Sequence, residues 1–140
     1  MSTSTITLAA GNLLHLRATC YRPANTQGGI VIGPNASNAY QVYHYANTNI
    51  EIDYFIASVQ SYGPYTTITN NTEYEFFDIY ILVTATNSVM IGGWFWGTTN
   101  VMTSLPSINN NSNVNLVGTL SLGIVTGTAA YAHTLQYEVL

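Results

Sequence analysis

Residues 39–56 read AYQVYHYANTNIEIDYFI. Tyr40, Val42 and His44 alternate with Gln41, Tyr43 and Tyr45; beyond the Ala46-Asn-Thr-Asn49 break, Ile50, Ile52, Tyr54 and Ile56 alternate with Glu51 and Asp53. A period of two belongs to a strand whose successive side chains point to opposite faces, and Asn supplies the positive φ that a turn needs. The stretch is a β-hairpin with Ile50 and Ile52 turned inward and Glu51 and Asp53 turned out to solvent.

The same period runs outward in both directions. Strands are expected at 5–10, 13–22, 28–33, 39–46, 49–59, 73–84, 88–97, 113–126 and 128–140, and no 3.6-residue pattern competes with them. Between them lie Pro-, Gly- and Asn-rich separators such as Gly33-Pro-Asn-Ala-Ser-Asn38 and Tyr62-Gly-Pro64. The Asn tract at 109–115 reads as a loop between apolar strands. Eight or nine strands at about ten-residue spacing, without an internal repeat, give an all-β fold. One antiparallel β-sandwich or jelly roll fills residues 1–140.

Composition narrows function by exclusion. The 140 residues hold two basic side chains, Arg17 and Arg22, and six acids, for 6% charged residues and a net charge of −4. The missing charge is replaced by 19 Thr, 15 Asn and 10 Ser. Two arginines cannot neutralise a run of phosphates, so nucleic acid is excluded as a partner. Residues 79–97 and 114–132 carry no charge, but Thr, Asn, Ser and Gly interrupt them at short intervals. They are strands rather than membrane spans, and no membrane insertion is expected. The leading MSTSTITLAAG lacks a basic start and an apolar run, so no signal peptide is read. That implies cytoplasmic synthesis, followed in some settings by release or surface display.

No catalytic set emerges. His15, His44 and His133 fall on separate strands without metal-ligand spacing, and no G-x-S-x-G elbow occurs. Cys20, alternating with Leu14, Leu16 and Ala18, reads as a buried thiol. Sequons at Asn35, Asn70 and Asn110 are expected by chance in a chain this rich in Asn and Thr. Glu51, Asp53, Glu73 and Glu75 would converge as a calcium site or a glycosidase-like pair if their strands paired. Their spacing matches no calcium loop, so a solvated strand face is the simpler reading and no cofactor is expected.

The aromatics say more. In Gly92-Gly93-Trp94-Phe95-Trp96, Phe95 shares a face with Val89 and Ile91, which leaves Trp94 and Trp96 on the other face beside open glycine. Flat rings beside short polar side chains suit the C–H faces and hydroxyls of a sugar, although packing against another sheet is the commoner fate of a Trp pair. A second candidate is Tyr43, Tyr45 and Asn47 with Glu51 and Asp53, which bring aromatic surface and hydrogen-bonding groups into one hairpin. Arg17, beside His15 and Tyr21, is a third, as a clamp for an acidic or hydroxyl-rich ligand.

In composition and strand rhythm the chain resembles the trimeric tumour-necrosis-factor-like lectin and spore-surface domains; the resemblance rests on no motif, transfers no site residue, and implies a homotrimer. The expected function is that of a non-catalytic carbohydrate-binding protein, a lectin acting on glycans as a multivalent homo-oligomer. The alternatives are a self-assembling coat or filament subunit and, third, a pore-forming module. Because no charged residue falls between Asp78 and Glu138, residues 113–140 are expected to be core and subunit interface. Ligand contacts are then biased toward the hairpin at 39–53 and the loops around it.

Overall fold

The computed structural model describes residues 3–22, 27–45, 49–67, 73–85, 88–97, 102–126 and 134–140. Among them are thirteen strands: β1 (Thr3–Leu8), β2 (Leu13–Arg22), β3 (Gln27–Asn35), β4 (Asn38–Tyr45), β5 (Asn49–Ile56), β6 (Val59–Ser61), β7 (Tyr65–Thr67), β8 (Glu73–Ala85), β9 (Ser88–Gly97), β10 (Thr103–Ser104), β11 (Ile108–Asn111), β12 (Gly118–Thr126) and β13 (Thr134–Val139). They form two antiparallel sheets. The first runs β1-β12-β3-β4-β5-β6, with β7 also on β5; the second runs β10-β9-β8-β2-β13, with β11 also on β9. The expected sandwich is the observed fold, and the two uncharged stretches lie in it as strands β8, β9 and β12.

Alternation decides which face each strand buries. Ile30 and Ile32, Tyr40 and Val42, Ile50 and Ile52, and Leu120 and Leu122 point from the first sheet toward Leu14, Leu16, Phe77, Ile79, Ile81, Val89 and Phe95 of the second. Each aliphatic or Phe side chain fully withdrawn from water stabilises the fold by ~1.5–3 kcal/mol, so this layer is the main cohesive force. Tyr40 ties in the loop beyond β11: its hydroxyl donates to Asn111 Oδ1 and accepts from Val114 N–H at 3.3 Å.

A buried histidine–carboxyl contact also crosses the core. His44 and Glu75 are both fully buried, and His44 Nδ1 hydrogen-bonds Glu75 Oε1 across the two sheets. His44 packs edge-on against Phe95, and its Nε2 has no hydrogen-bond partner among the described residues. One expectation is corrected here. Glu75 faces the interior rather than solvent, and its strand β8 belongs to a different sheet from β5, so it does not join Glu51 and Asp53; the Glu73 side chain lies outside the described residues. The expectation for residues 113–140 holds in part. Val114, Leu116, Leu120, Leu122 and Ile124 are core, whereas β13 is an edge strand with Tyr137 and Val139 exposed.

Candidate functional site

The outer face of the first sheet concentrates polar side chains on β4 and β5. Register places Gly29, Tyr43, Glu51 and Tyr65 in one transverse row, and Val31, Gln41 and Asp53 in the next. The solvated-face reading of the two acids is corrected by their burial: Asp53 is 0% exposed, Glu51 9% and Tyr43 2%. They hold one another. Tyr43 donates its hydroxyl to Asp53 Oδ2 at 2.9 Å and lies 3.4 Å from Glu51 Oε2. Gln60 Nε2 donates to Asp53 Oδ2 at 2.8 Å and to the Tyr43 hydroxyl at 3.3 Å, and Asn49 Nδ2 donates to Glu51 Oε1 at 3.2 Å.

The edge of the sheet completes this network. β6 and β7 pair with the same side of β5, but β7 is offset by one residue from the continuation of β6. They form one edge strand with a bulge at 62–64, a device that re-aims backbone groups. Here it turns the Gly63 N–H onto Asp53 Oδ1 at 3.0 Å. The Gly63 backbone lies so close to Ile52 that a Cβ would meet the Ile52 carbonyl oxygen at 2.0 Å. The β5–β6 connection is a two-residue turn with positive φ at Ala57 (50°) and Ser58 (67°), the geometry that suits a tight hairpin. Side-chain and backbone bonds from Ser37 and Asn38 lock it. That fixed turn carries Gln60 to its place over Asp53.

Electrostatics mark this cluster as unusual. Burial first, then the hydrogen bond and charge of Asp53 and the charge of Glu51, push the Tyr43 phenol well above its ordinary range; the Gln60 donation opposes them. Both arginines lie on β2 of the opposite sheet, and among the described side chains none brings a cation to the two carboxylates. Sharing one hydroxyl, they sit within roughly 6 Å of each other, and like charges at that separation repel by about 3 kcal/mol at an effective dielectric of ~20. Among the described residues, no three His, Cys, Asp or Glu side chains come together as a metal site. At the rim stand two large rings in water, Tyr65 (62% exposed), paired in register with Glu51, and Tyr62 (76%).

The sequence candidates therefore divide. Tyr43 and Asp53 belong to this cluster, inside it and inaccessible. Asn47, the Tyr45 and Cys20 side chains and His133 lie outside the described residues. Trp94, Trp96 and Arg17 stand on the outer face of the second sheet, away from Tyr43. Trp94 is 41% exposed, whereas Trp96 tilts against Phe76 with ring centroids 4.7 Å apart. Glu51, Asn49, Gln60 and Tyr65 are the groups a ligand could reach; sequence reading brought Glu51 into the hairpin candidate beside Asp53 and did not single out the other three as contacts. For Gln60 and Tyr65 the only signal was Tyr62-Gly-Pro64, read as a plain separator.

The architecture is that of a galectin-like jelly roll. No protein-family model matches the chain, and no curated protein matches it by sequence. Solved structures do. Chicken Galectin 2 aligns with a TM-score of 0.52 and 11% identity, covering 94% of this chain and 91% of its own. The GH43 protein BlXynB of Bacillus licheniformis aligns at 0.54 and 10%, covering 92% of this chain and 27% of its own. A toad ovary galectin in complex with thio-digalactose aligns at 0.42 and 13%, covering 99% of each chain. At these identities the likeness is one of fold, and it gives no support to the expected trimer.

Proposed function

We propose that the protein is a non-catalytic lectin that binds neutral, hydroxyl-rich glycans at the β4–β5–β7 face. The observation that carries this is the pair of cation-free carboxylates bordered by exposed tyrosines. Sugar hydroxyls are donors that relieve carboxylate repulsion, and a pyranose offers a C–H face to a ring such as Tyr65. A few fixed polar groups beside aromatic surface are the usual make-up of a small-ligand site. Tyr43 and Asp53 act as positioning residues: they fix Glu51 and Gln60, which meet the sugar together with Asn49 and Tyr65.

Binding rather than hydrolysis fits the same geometry. Asp53 is enclosed and already accepts from Tyr43, Gln60 and Gly63, so it cannot reach a glycosidic oxygen. The galectin likeness makes galactosides the first class to test. Calorimetric titration with thio-digalactose and a panel of neutral glycans should show saturable binding. Tyr65→Ala or Glu51→Gln should weaken it at least tenfold while far-UV circular dichroism stays that of the parent. Absence of binding across the panel, or binding indifferent to both substitutions, would refute the proposal.

A further inference from the structure

The outer face of the second sheet carries a different set of groups. Register aligns Gln136, Arg17, Asp78, Trp94 and Ser104 in one row across five strands. The next row holds Glu138, His15, Tyr80 and Gly92. His15 of the second row occupies one acid from each row. His15 Nε2 bonds Asp78 Oδ1, His15 Nδ1 lies 3.2 Å from Glu138 Oε1, and the imidazole stacks on Tyr80 at 4.3 Å and 8°.

Arg17 is left over. It is exposed, and it makes no hydrogen bond or ion pair with any described residue, although Asp78 stands next to it in register. Its side chain borders a cavity of about 170 Å³ together with His15, Gln136, Tyr137 and Glu138. In a chain with two cationic side chains, one guanidinium thus faces an open recess while the carboxylates around it are bound to a histidine.

We propose that this face is a second binding site, independent of the first, for a saccharide that bears a carboxylate. A guanidinium fork matches a carboxylate in bidentate geometry. Trp94 lies two strands from Arg17, roughly 10 Å at ordinary strand spacing, about the span of a disaccharide. Arg17 takes the carboxylate, Asp78 between them accepts a hydroxyl, and the exposed indole of Trp94 receives the far ring. Gly92, on the same face, keeps that approach open: a Cβ there would meet only Ser107 Cβ at 3.8 Å. The clamped acids exclude ligands with several negative charges, so one carboxylate per ligand is the expected limit.

The test uses two disaccharides of equal linkage, one ending in glucuronic acid and one in galactose, with sodium acetate as a bare carboxylate. Amide shifts are followed by nuclear magnetic resonance. The acidic disaccharide should shift residues 15–19, 78–80, 94 and 136–138, with binding lost at least tenfold in Arg17→Gln, partly kept in Arg17→Lys, and reduced severalfold in Trp94→Ala. Tyr65→Ala and Glu51→Gln should leave it unchanged, which separates this site from the first. Three results would overturn it: an Arg17→Gln protein that binds as the parent does, a galactose-ended disaccharide that shifts these same residues with equal affinity, or acetate that binds as tightly as the sugar.

Discussion

Tyr43→Phe removes one oxygen and keeps the buried ring. That oxygen is shared by two carboxylates, at 2.9 Å to Asp53 and 3.4 Å to Glu51, and it also accepts from Gln60 at 3.3 Å. A hydrogen bond to a charged group contributes ~1.5–3 kcal/mol net. The short contact counts in full and the long ones count for little, so the variant should lose about 2–3 kcal/mol at pH 7. For a domain of this size 1 kcal/mol corresponds to roughly 3–5 °C in Tm, so the transition should fall by about 10 °C. Alkali supplies the second readout. The Tyr43 phenol is raised above its ordinary 10.0 in the fold, so its stabilising contribution is complete below pH 10. It is lost as pH climbs further, because the unfolded chain ionises while the folded one does not. One such group costs at most ~1.4 kcal/mol per pH unit. Tyr40, also raised mainly by burial, gives the parent and the variant a common slope, so the gap between them should narrow from pH 10 to 11. Urea unfolding at pH 7, 9, 10 and 11 measures both effects. A gap under 0.5 kcal/mol at pH 7, or a larger gap unchanged through pH 11, would refute the assigned network.

Two further outcomes follow from the core and from the second sheet. His44→Leu should destabilise by about 3–5 kcal/mol, because it removes the imidazole bonded to the buried Glu75, and the double replacement with Glu75→Leu should recover most of that loss; thermal melts of the two single variants and the double check it. Gly93→Ala, at a φ of +143°, should cost at least ~1–3 kcal/mol from the forced backbone conformation alone and displace Trp94, which a melt together with tryptophan fluorescence would register.

The sandwich was legible because its nine long strands keep a strict period over six or more residues. β6, β7, β10 and β11 were not, since two to four residues at a sheet edge show no period. The 109–115 tract, read as loop, contributes residues 109–111 to β11 for that reason. Alternation also assigns faces without saying which are dry. Glu51 and Asp53 looked solvated because they oppose Ile50 and Ile52; their burial comes from Gln60 and a one-residue bulge, neither of which has a period. Nor does alternation say which strands share a sheet. Trp94 and Tyr43, read as two separate candidates, lie on opposite faces of the protein, whereas Arg17, Asp78 and Trp94 come together only through the β2–β8–β9 register.

The sparse charge sharpens what the two acids mean. Thr at positions 51 and 53 would suit a strand at least as well, since β-branched residues favour a pleated surface and Asp and Glu do not. It would also remove about 3 kcal/mol of repulsion at an effective dielectric of ~20. Nothing in the fold calls for two buried anions without a cation, and the bonds from Tyr43, Gln60 and Gly63 compensate for them without needing them. A group that costs stability in the isolated domain is expected where something outside the domain completes it. The Glu51→Gln protein used to test glycan binding therefore carries a second expectation. It should melt at or above the parent temperature while binding more weakly, whereas a purely structural Glu51 would lower both.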